Sequence, residues 1–273
     1  MTTLVSLPMY DLPEMRAANA RFWEALRGIL IETGLKDPPE TLTFARGPVP
    51  PRLESELLFS QTCGYPLETV FKGQAIRLAA PLYDVPGCAM SLDGPTHRAF
   101  FLVCADSRAQ TLADLRGGVF LLNNPVSNSG MNLPRRALAQ IAGRKAFFGQ
   151  VIETGGHSAS LERLIRGEGD VASIDCVTYA FWKHYRPDAA AQVRILAETP
   201  ASPAIPFVTS VATSPAIVEI LRAALGTLGH EPRYEAVRAE LKIADIANVP
   251  DAAYAGLLDY EREAAALGYP VLI

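Results

Sequence analysis

An α/β fold of two lobes is what this sequence predicts, with mostly parallel sheets covered by helices on both faces. Three observations predict it. Apolar runs of strand length alternate with amphipathic segments of helical length, the pattern of a sheet whose crossovers are helices. Two turns share one plan: an apolar strand, then hydroxyl residues, a glycine and a proline shortly afterwards. They fall at Glu56–Pro66 and Leu121–Pro134, as two similar halves facing one cleft would place them. Finally, 273 residues are enough for two modest domains, each with its own core.

The elements follow in chain order. Leu4 to Leu7 reads as a short strand with a Pro8–Pro13 loop at its carboxyl end. Glu14 to Gly34 reads as one helix, with Phe22, Trp23, Leu26, Ile29 and Leu30 near helical spacing and Gly34 as its stop. Leu42 to Phe44 is a second strand, before the proline-rich Gly47–Pro51. After the first turn, Ala75 to Ala80 is a strand, and Pro81 to Pro95 is irregular, with turn signals at Pro86-Gly87 and Asp93-Gly94-Pro95. His97 to Cys104 is a buried strand and Thr111 to Leu115 a short helix. Gly117-Gly118 leads into the strand Val119–Leu122. Ala146 to Ile152 is a strand, Ala159 to Arg166 a helix, Asp170 to Ile174 a strand ending at Asp175, and Cys176 to His184 a helix. Strands at Val193–Leu196 and Phe207–Thr213 precede helices near Ala216–Leu228 and Ala252–Leu267.

Composition excludes several classes. Hydrophobic residues make up 49 % and charged residues 20 %, with a formal charge of −4. That is ordinary for a globular protein, and no basic stripe is present to bind nucleic acid. No apolar run approaches the roughly 18 residues of a membrane span. The N-terminus lacks a basic region, a long apolar stretch and a cleavage site, so a cytoplasmic location is expected, or a periplasmic one if a leader has been removed. Cys63, Cys88, Cys104 and Cys176 form no CxxC pair, and their spacing fits no familiar zinc site. Reduced thiols are the simpler expectation. Cys104, in an apolar strand, reads as a buried small hydrophobe. No cofactor and no metal are expected.

The second turn carries the chemistry. Strand, polar turn and helix together aim unpaired backbone N–H groups at a ligand, with the positive end of the helix dipole behind them. Ser127, Asn128 and Ser129 add side-chain donors, and Gly130 lets a bound group approach closely. Pro134 places the start of the helix within about one turn upstream. This is an anion cradle, or else a serine N-cap on an ordinary helix. In the first turn Ser60, Gln61, Thr62, Cys63 and Gly64 are donors on the same plan, or again only a cap. Cys63, near a helix start, is a reactive thiol or an inert small residue. Tyr10 lies at the carboxyl end of a strand, where ligands of open sheets collect, or packs on its neighbours. His157 donates to a ligand or caps its helix. Asp175 binds a ligand amine or caps the helix after it. His97 touches ligand or packs at a hinge.

At this point the residues match a known pattern. Asp114-Leu115-Arg116-Gly117-Gly118, then Asn124-Pro125-Val126-Ser127-Asn128-Ser129-Gly130 with Pro134, resembles the signature of phosphonate-type ABC-transporter substrate-binding proteins. Gly156–Leu161 and Gly167–Asp175 resemble that family's next two blocks, in the right order; similarity is strongest over roughly residues 110 to 180. The resemblance implies a type II periplasmic-binding-protein fold. Its first lobe would be residues 1–98 plus 205–273 and its second 99–204, closing on a ligand in the cleft between them. It implies that Ser127, Asn128, Ser129 and Gly130 hold phosphonate or phosphate oxygens. It carries the family's histidine to His157 and its ligand-side acid to Asp175. The partners implied are a small anionic ligand and the permease of an ABC transporter. This chain departs from the pattern at His97, where a ligand-facing tyrosine is expected, at Ala99, and at Cys63.

Capture by lobe closure is therefore the favoured function. The alternative is a cytoplasmic enzyme on the same fold, similar to some enzymes of menaquinone and thiamine biosynthesis. Cys63 with His157 or His97 would be its first catalytic pair to test. No dyad is visible at a fixed spacing, so the reading leans away from catalysis.

Overall fold

The computed structural model describes residues 4–44 and 57–273. The proline-rich Gly47–Pro51 and Glu56, at the start of the first turn, lie outside the described residues. The chain divides into two compact units, one of Met1–Thr96 with Pro203–Ala253 and one of His97–Ser202 with Tyr254–Ile273.

The first unit is built on a five-stranded sheet in the order Leu4–Val5, Leu57–Gln61, Phe207–Ser210, Ala75–Tyr83, Ile243–Ala247. The helix Arg16–Glu32 buries Phe22, Trp23, Leu26, Ile29 and Leu30, the helical-period residues of the sequence. Its aromatic face stacks on the sheet: Phe22 lies 5.7 Å from Phe207, and Trp23 lies 5.9 Å from Phe59 between ring centroids. Stacked pairs of this kind add about 0.5–1.5 kcal/mol each beyond the area they bury.

The second unit's sheet runs Val193–Glu198, Ala99–Cys104, Val171–Asp175, Val119–Leu122, Gln150–Glu153. Its last three strands are parallel, with Leu121 opposite Ala172 and Ile152, and Leu122 opposite Glu153. Their carboxyl ends therefore share one edge. The core beside them joins Phe101, Phe120, Leu138, Phe147, Phe148 and Val171 to Ala264, Tyr269 and Leu272.

Several expectations need correcting. The sheets are mixed rather than mostly parallel. Ala99–Cys104 and Phe207–Ser210, which follow crossings between the units, run antiparallel to their described neighbours. Leu42–Phe44 is not a strand; among the described residues it gives one backbone bond, from Thr43 N–H to the Val5 carbonyl at 2.7 Å. Pro81–Pro95 is less irregular than its prolines suggest: the preceding strand reaches Tyr83, and Ala89–Ser91 pairs with Gly94–His97 as a hairpin. The hairpin strand ends at His97, and a separate strand begins at Ala99. Ile243–Ala247 is a strand that alternation did not reveal.

The final segment also differs from expectation, because residues 254–273 belong to the second unit. Arg135, on the helix Leu133–Ala142, donates to the Pro270 carbonyl at 3.1 Å, and Phe147 N–H donates to the Ile273 carbonyl at 2.7 Å. These bonds and the buried Tyr269 and Leu272 fix the tail to that core.

One glycine supports the parallel strands by close approach. A Cβ on Gly149 would sit 2.4 Å from the Gly117 carbonyl oxygen, a backbone atom that cannot swing aside. Gly149→Ala is expected to lower stability by about 1–3 kcal/mol, as overpacking does. A urea midpoint equal to that of the parent would contradict this close approach.

Candidate functional site

The site grows from the shared carboxyl edge of the parallel strands, where open α/β sheets place their ligands. Val119–Leu122 ends at Asn123, and the chain turns through Ser127 into a wide helical turn, Asn128–Asn132. This turn closes by i to i+5 bonds: Asn132 N–H donates to the Ser127 carbonyl at 3.0 Å, and Leu133 N–H donates to that of Asn128. Such π-type turns are rare and gather at functional sites. Ser127 caps it, accepting from Gly130 N–H at 3.0 Å. The first N–H groups of the turn, those of Asn128 and Ser129, have no intrahelical acceptor. The regular helix Leu133–Ala142 follows, with Pro134 in its first turn as the sequence required.

Asn123 organises the turn from beneath. It is buried, and its amide donates to Ser127 Oγ at 3.1 Å and to His157 Nε2 at 3.3 Å. Its Oδ1 has no partner and lies 1.7 Å from where a Gly130 Cβ would be. Gly130 is thus required by sterics.

His157 opens the helix His157–Ile165, and its Nε2 lies 2.9 Å from Ser129 Oγ. With the Asn123 amide donating to Nε2, the ring proton sits on Nδ1. That nitrogen is buried and, among the described residues, has no partner of good hydrogen-bond geometry, with the Ser173 backbone close by, although the residue keeps some exposed surface. Burial pushes the imidazole down to about 4; the nearby Asp175 and the Ser173 backbone oppose this and His97 adds to it. His157 is neutral at pH 7, with a buried N–H donor to spare.

Ser173 and Asp175 alternate on the strand Val171–Asp175 and so share one face. Ser173 donates its hydroxyl to the Ser129 carbonyl at 2.7 Å. Asp175 Oδ1 accepts the N–H groups of Val177 at 2.9 Å and Thr178 at 3.0 Å. Its Oδ2 lies 2.7 Å from His97 Nδ1, with both side chains buried. Burial alone would raise the Asp175 carboxyl, but the His97 ring and the backbone N–H of Thr178 hold it below the ordinary carboxylate value.

Each place where the chain enters or leaves this unit is tied into the same network. His97, just after the first crossing, holds Asp175. Ser202, just before the second, accepts from Asn128 Nδ2 at 3.0 Å. Beyond the third, the Leu257 carbonyl accepts from Asn132 Nδ2 at 3.1 Å, and Asn132 Nδ2 also bonds Asn128 Oδ1 at 3.2 Å.

The structure thus brings together His97, Ser127, Asn128, Ser129, Gly130, His157 and Asp175. Asp175 acts as a helix cap and as the partner of His97. Asn123, Asn132, Ser173 and Ser202 belong to the same cluster and were not singled out by sequence. Ser173 had a visible signal, as a hydroxyl two residues from Asp175 in an apolar strand.

The first-unit candidates form their own group. Ser60 Oγ lies 2.9 Å from Ser6 Oγ, Gln61 donates to the Ile205 carbonyl at 3.2 Å, and Thr62 N–H donates to that of Pro206 at 3.3 Å. Cys63 precedes a helix of only Gly64–Glu68, too short for a strong dipole, and Tyr10 packs edge-on against Tyr83 at 5.2 Å. Ser60 and Gln61 each hold a hydrogen bond inside the unit. None of the four cysteines forms a disulfide. Cys104 is partly exposed at its strand end, and its thiol donates to the Leu164 carbonyl at 3.1 Å. Among the described residues, no cluster of three or more potential metal ligands occurs, and no helix is long and apolar enough to cross a membrane.

Comparison with known proteins agrees with this architecture. A binding-protein component of an ABC phosphonate transporter from Pseudomonas aeruginosa is similar, with a TM-score of 0.75 and 16 % identity, covering 98 % of this chain and 89 % of that one. XAC2383 from Xanthomonas citri, bound to chloride, gives 0.72 and 16 %, covering 98 % and 99 %. PhnD1 from Prochlorococcus marinus, in complex with methylphosphonate, gives 0.62 and 11 %, covering 96 % and 98 %. These likenesses show the type II periplasmic-binding-protein fold. No curated protein matches the chain. The sequence matches a family described as the periplasmic substrate-binding protein of phosphonate ABC transporters over residues 75–254, more than half of the chain. That description overturns the cytoplasmic location expected from the N-terminal residues. By its sequence the chain belongs to the family of periplasmic substrate-binding proteins of phosphonate ABC transporters.

Proposed function

We propose that this chain captures a phosphonate, or a closely related small oxyanion, on the serine turn of its second unit, for delivery to the membrane permease of an ABC transporter. The observation that carries this reading is the buried Nδ1 of His157, a donor with no partner of good geometry among the described residues, beside the hydroxyl of Ser129 and the first N–H groups of the turn. A buried donor left unmatched costs about 1–3 kcal/mol, and an anion seated there would relieve that cost. Of the two cradles expected from sequence, only the second-unit one enters this reading.

The neutral imidazole suits hydrogen bonding more than charge pairing. Selection would rest on shape and on several donors converging on one group, as charge-assisted bonds do. Catalysis is the second reading, because a serine hydroxyl 2.9 Å from an imidazole is also the geometry of a nucleophile and its base. Against it, an imidazole titrating near 4 is a weak base at pH 7.

Isothermal titration with methylphosphonate tests the proposal. Ser129→Ala and His157→Ala are each expected to weaken binding about tenfold or more, on the order of 1.4 kcal/mol. Absence of binding to every phosphonate, phosphate, sulfonate and carboxylate offered to the folded protein would overturn it.

A further inference from the structure

The serine-turn cluster contains one carboxylate, and most of its accepting capacity is taken within the protein. Asp175 is 1 % exposed. Two backbone N–H groups fill one of its oxygens and the His97 ring takes the other at 2.7 Å. A carboxylate offers about four lone-pair sites, so three are filled by donors from its own chain. The group nevertheless lies beside the anion's place. Ser173, two residues earlier on the same face, bonds the Ser129 carbonyl, and residues i and i+2 of a strand are separated by about 7 Å.

A ligand carrying an ammonium group a few bonds from its oxyanion would need an acceptor at about that distance. Leaving a buried ammonium without one is prohibitive. Here the acceptor that could serve is matched by His97, which is itself 2 % exposed and cannot step aside into water without opening the core. We infer that His97, by occupying the cationic position on Asp175, sets the charge of the ligand: the site accepts simple oxyanions and rejects zwitterions whose ammonium lies close to the phosphonate. This inference rests on the proposed reading that the serine turn holds the oxyanion.

Titration of the folded protein with ethylphosphonate and propylphosphonate, against their ω-amino counterparts, tests it. The simple phosphonates are expected to bind at least about tenfold tighter. In His97→Leu, with fold checked by circular dichroism, no donor replaces the imidazole, so Asp175 regains an open oxygen and the ratio is expected to fall to about threefold or less. Equal or tighter binding of the amino compounds by the parent protein overturns the inference and leaves the proposed function standing. Binding of none of the four overturns the inference, and failure of methylphosphonate, phosphate, sulfonates and carboxylates as well overturns both. An unchanged ratio in folded His97→Leu removes His97 as the determinant, and if that variant does not fold, the parent comparison decides.

Discussion

Gly130→Ala is expected to lose affinity for methylphosphonate by about 100-fold or more, roughly 2.7 kcal/mol. The new Cβ would fall 1.7 Å from Asn123 Oδ1, far inside contact distance. Asn123 is buried and cannot yield without releasing both Ser127 and His157, which its amide positions. Stability should fall as well, by about 1–3 kcal/mol, the usual result of overpacking. A second substitution separates the clash from a general intolerance of alanine. Asn123→Ala in the same chain removes the obstructing oxygen, so stability should recover in part while affinity does not. Urea unfolding with isothermal titration reads both quantities. A Gly130→Ala protein with parental affinity would contradict the close packing of the turn.

Acid should weaken the fold well before most carboxylates titrate. Burial holds the His157 imidazole down to about 4, against an ordinary 6.5. As pH falls through 6.5 the unfolded chain takes up a proton that the folded chain refuses, so stability declines until the folded pKa is reached. The loss is about 2 kcal/mol between pH 7 and pH 5, and about 3 kcal/mol in all. Asp175 acts in the same direction but in a lower window, because its carboxyl is held below 3.8 in the folded protein and its contribution is lost only as that group protonates. Urea midpoints of the parent and of His157→Gln, at pH 7 and pH 5, test the assignment. The variant carries no titrating ring and should lose much less stability across that interval; an equal loss would place the sensitivity elsewhere.

Much of this was legible because it is local. The serine turn announces itself within fourteen consecutive residues, Leu121 to Pro134, as apolar strand, hydroxyls, glycine and proline. The long helix was legible because Phe22, Trp23, Leu26, Ile29 and Leu30 repeat at its period. What the sequence hid is non-local. His97 and Asp175 are 78 positions apart, and nothing near either predicts their pairing. Asn123 looks like the first residue of a loop, and its role under Gly130 depends on a turn folding back over it. The hairpin of Ala89–Ser91 with Gly94–His97 was masked by Pro86 and Pro95, which read as turn residues although Pro95 sits within a strand. The tail was assigned to the wrong unit because helical periodicity says which face is apolar and not which core receives it. The partners of Ser60 and Gln61 likewise lie in distant segments.

The bonds from His97, Asn128 and Asn132 to the chain's three crossings bear on any attempt to turn this protein into a sensor for a different anion. A designer altering selectivity would ordinarily randomise the whole recognition loop. Here Asn128 cannot be included freely, since the same amide that faces the turn also secures Ser202 where the polypeptide departs. Libraries confined to Ser127, Ser129 and His157 leave those anchor points whole, and should retain more folded members than libraries that include Asn128 and Asn132.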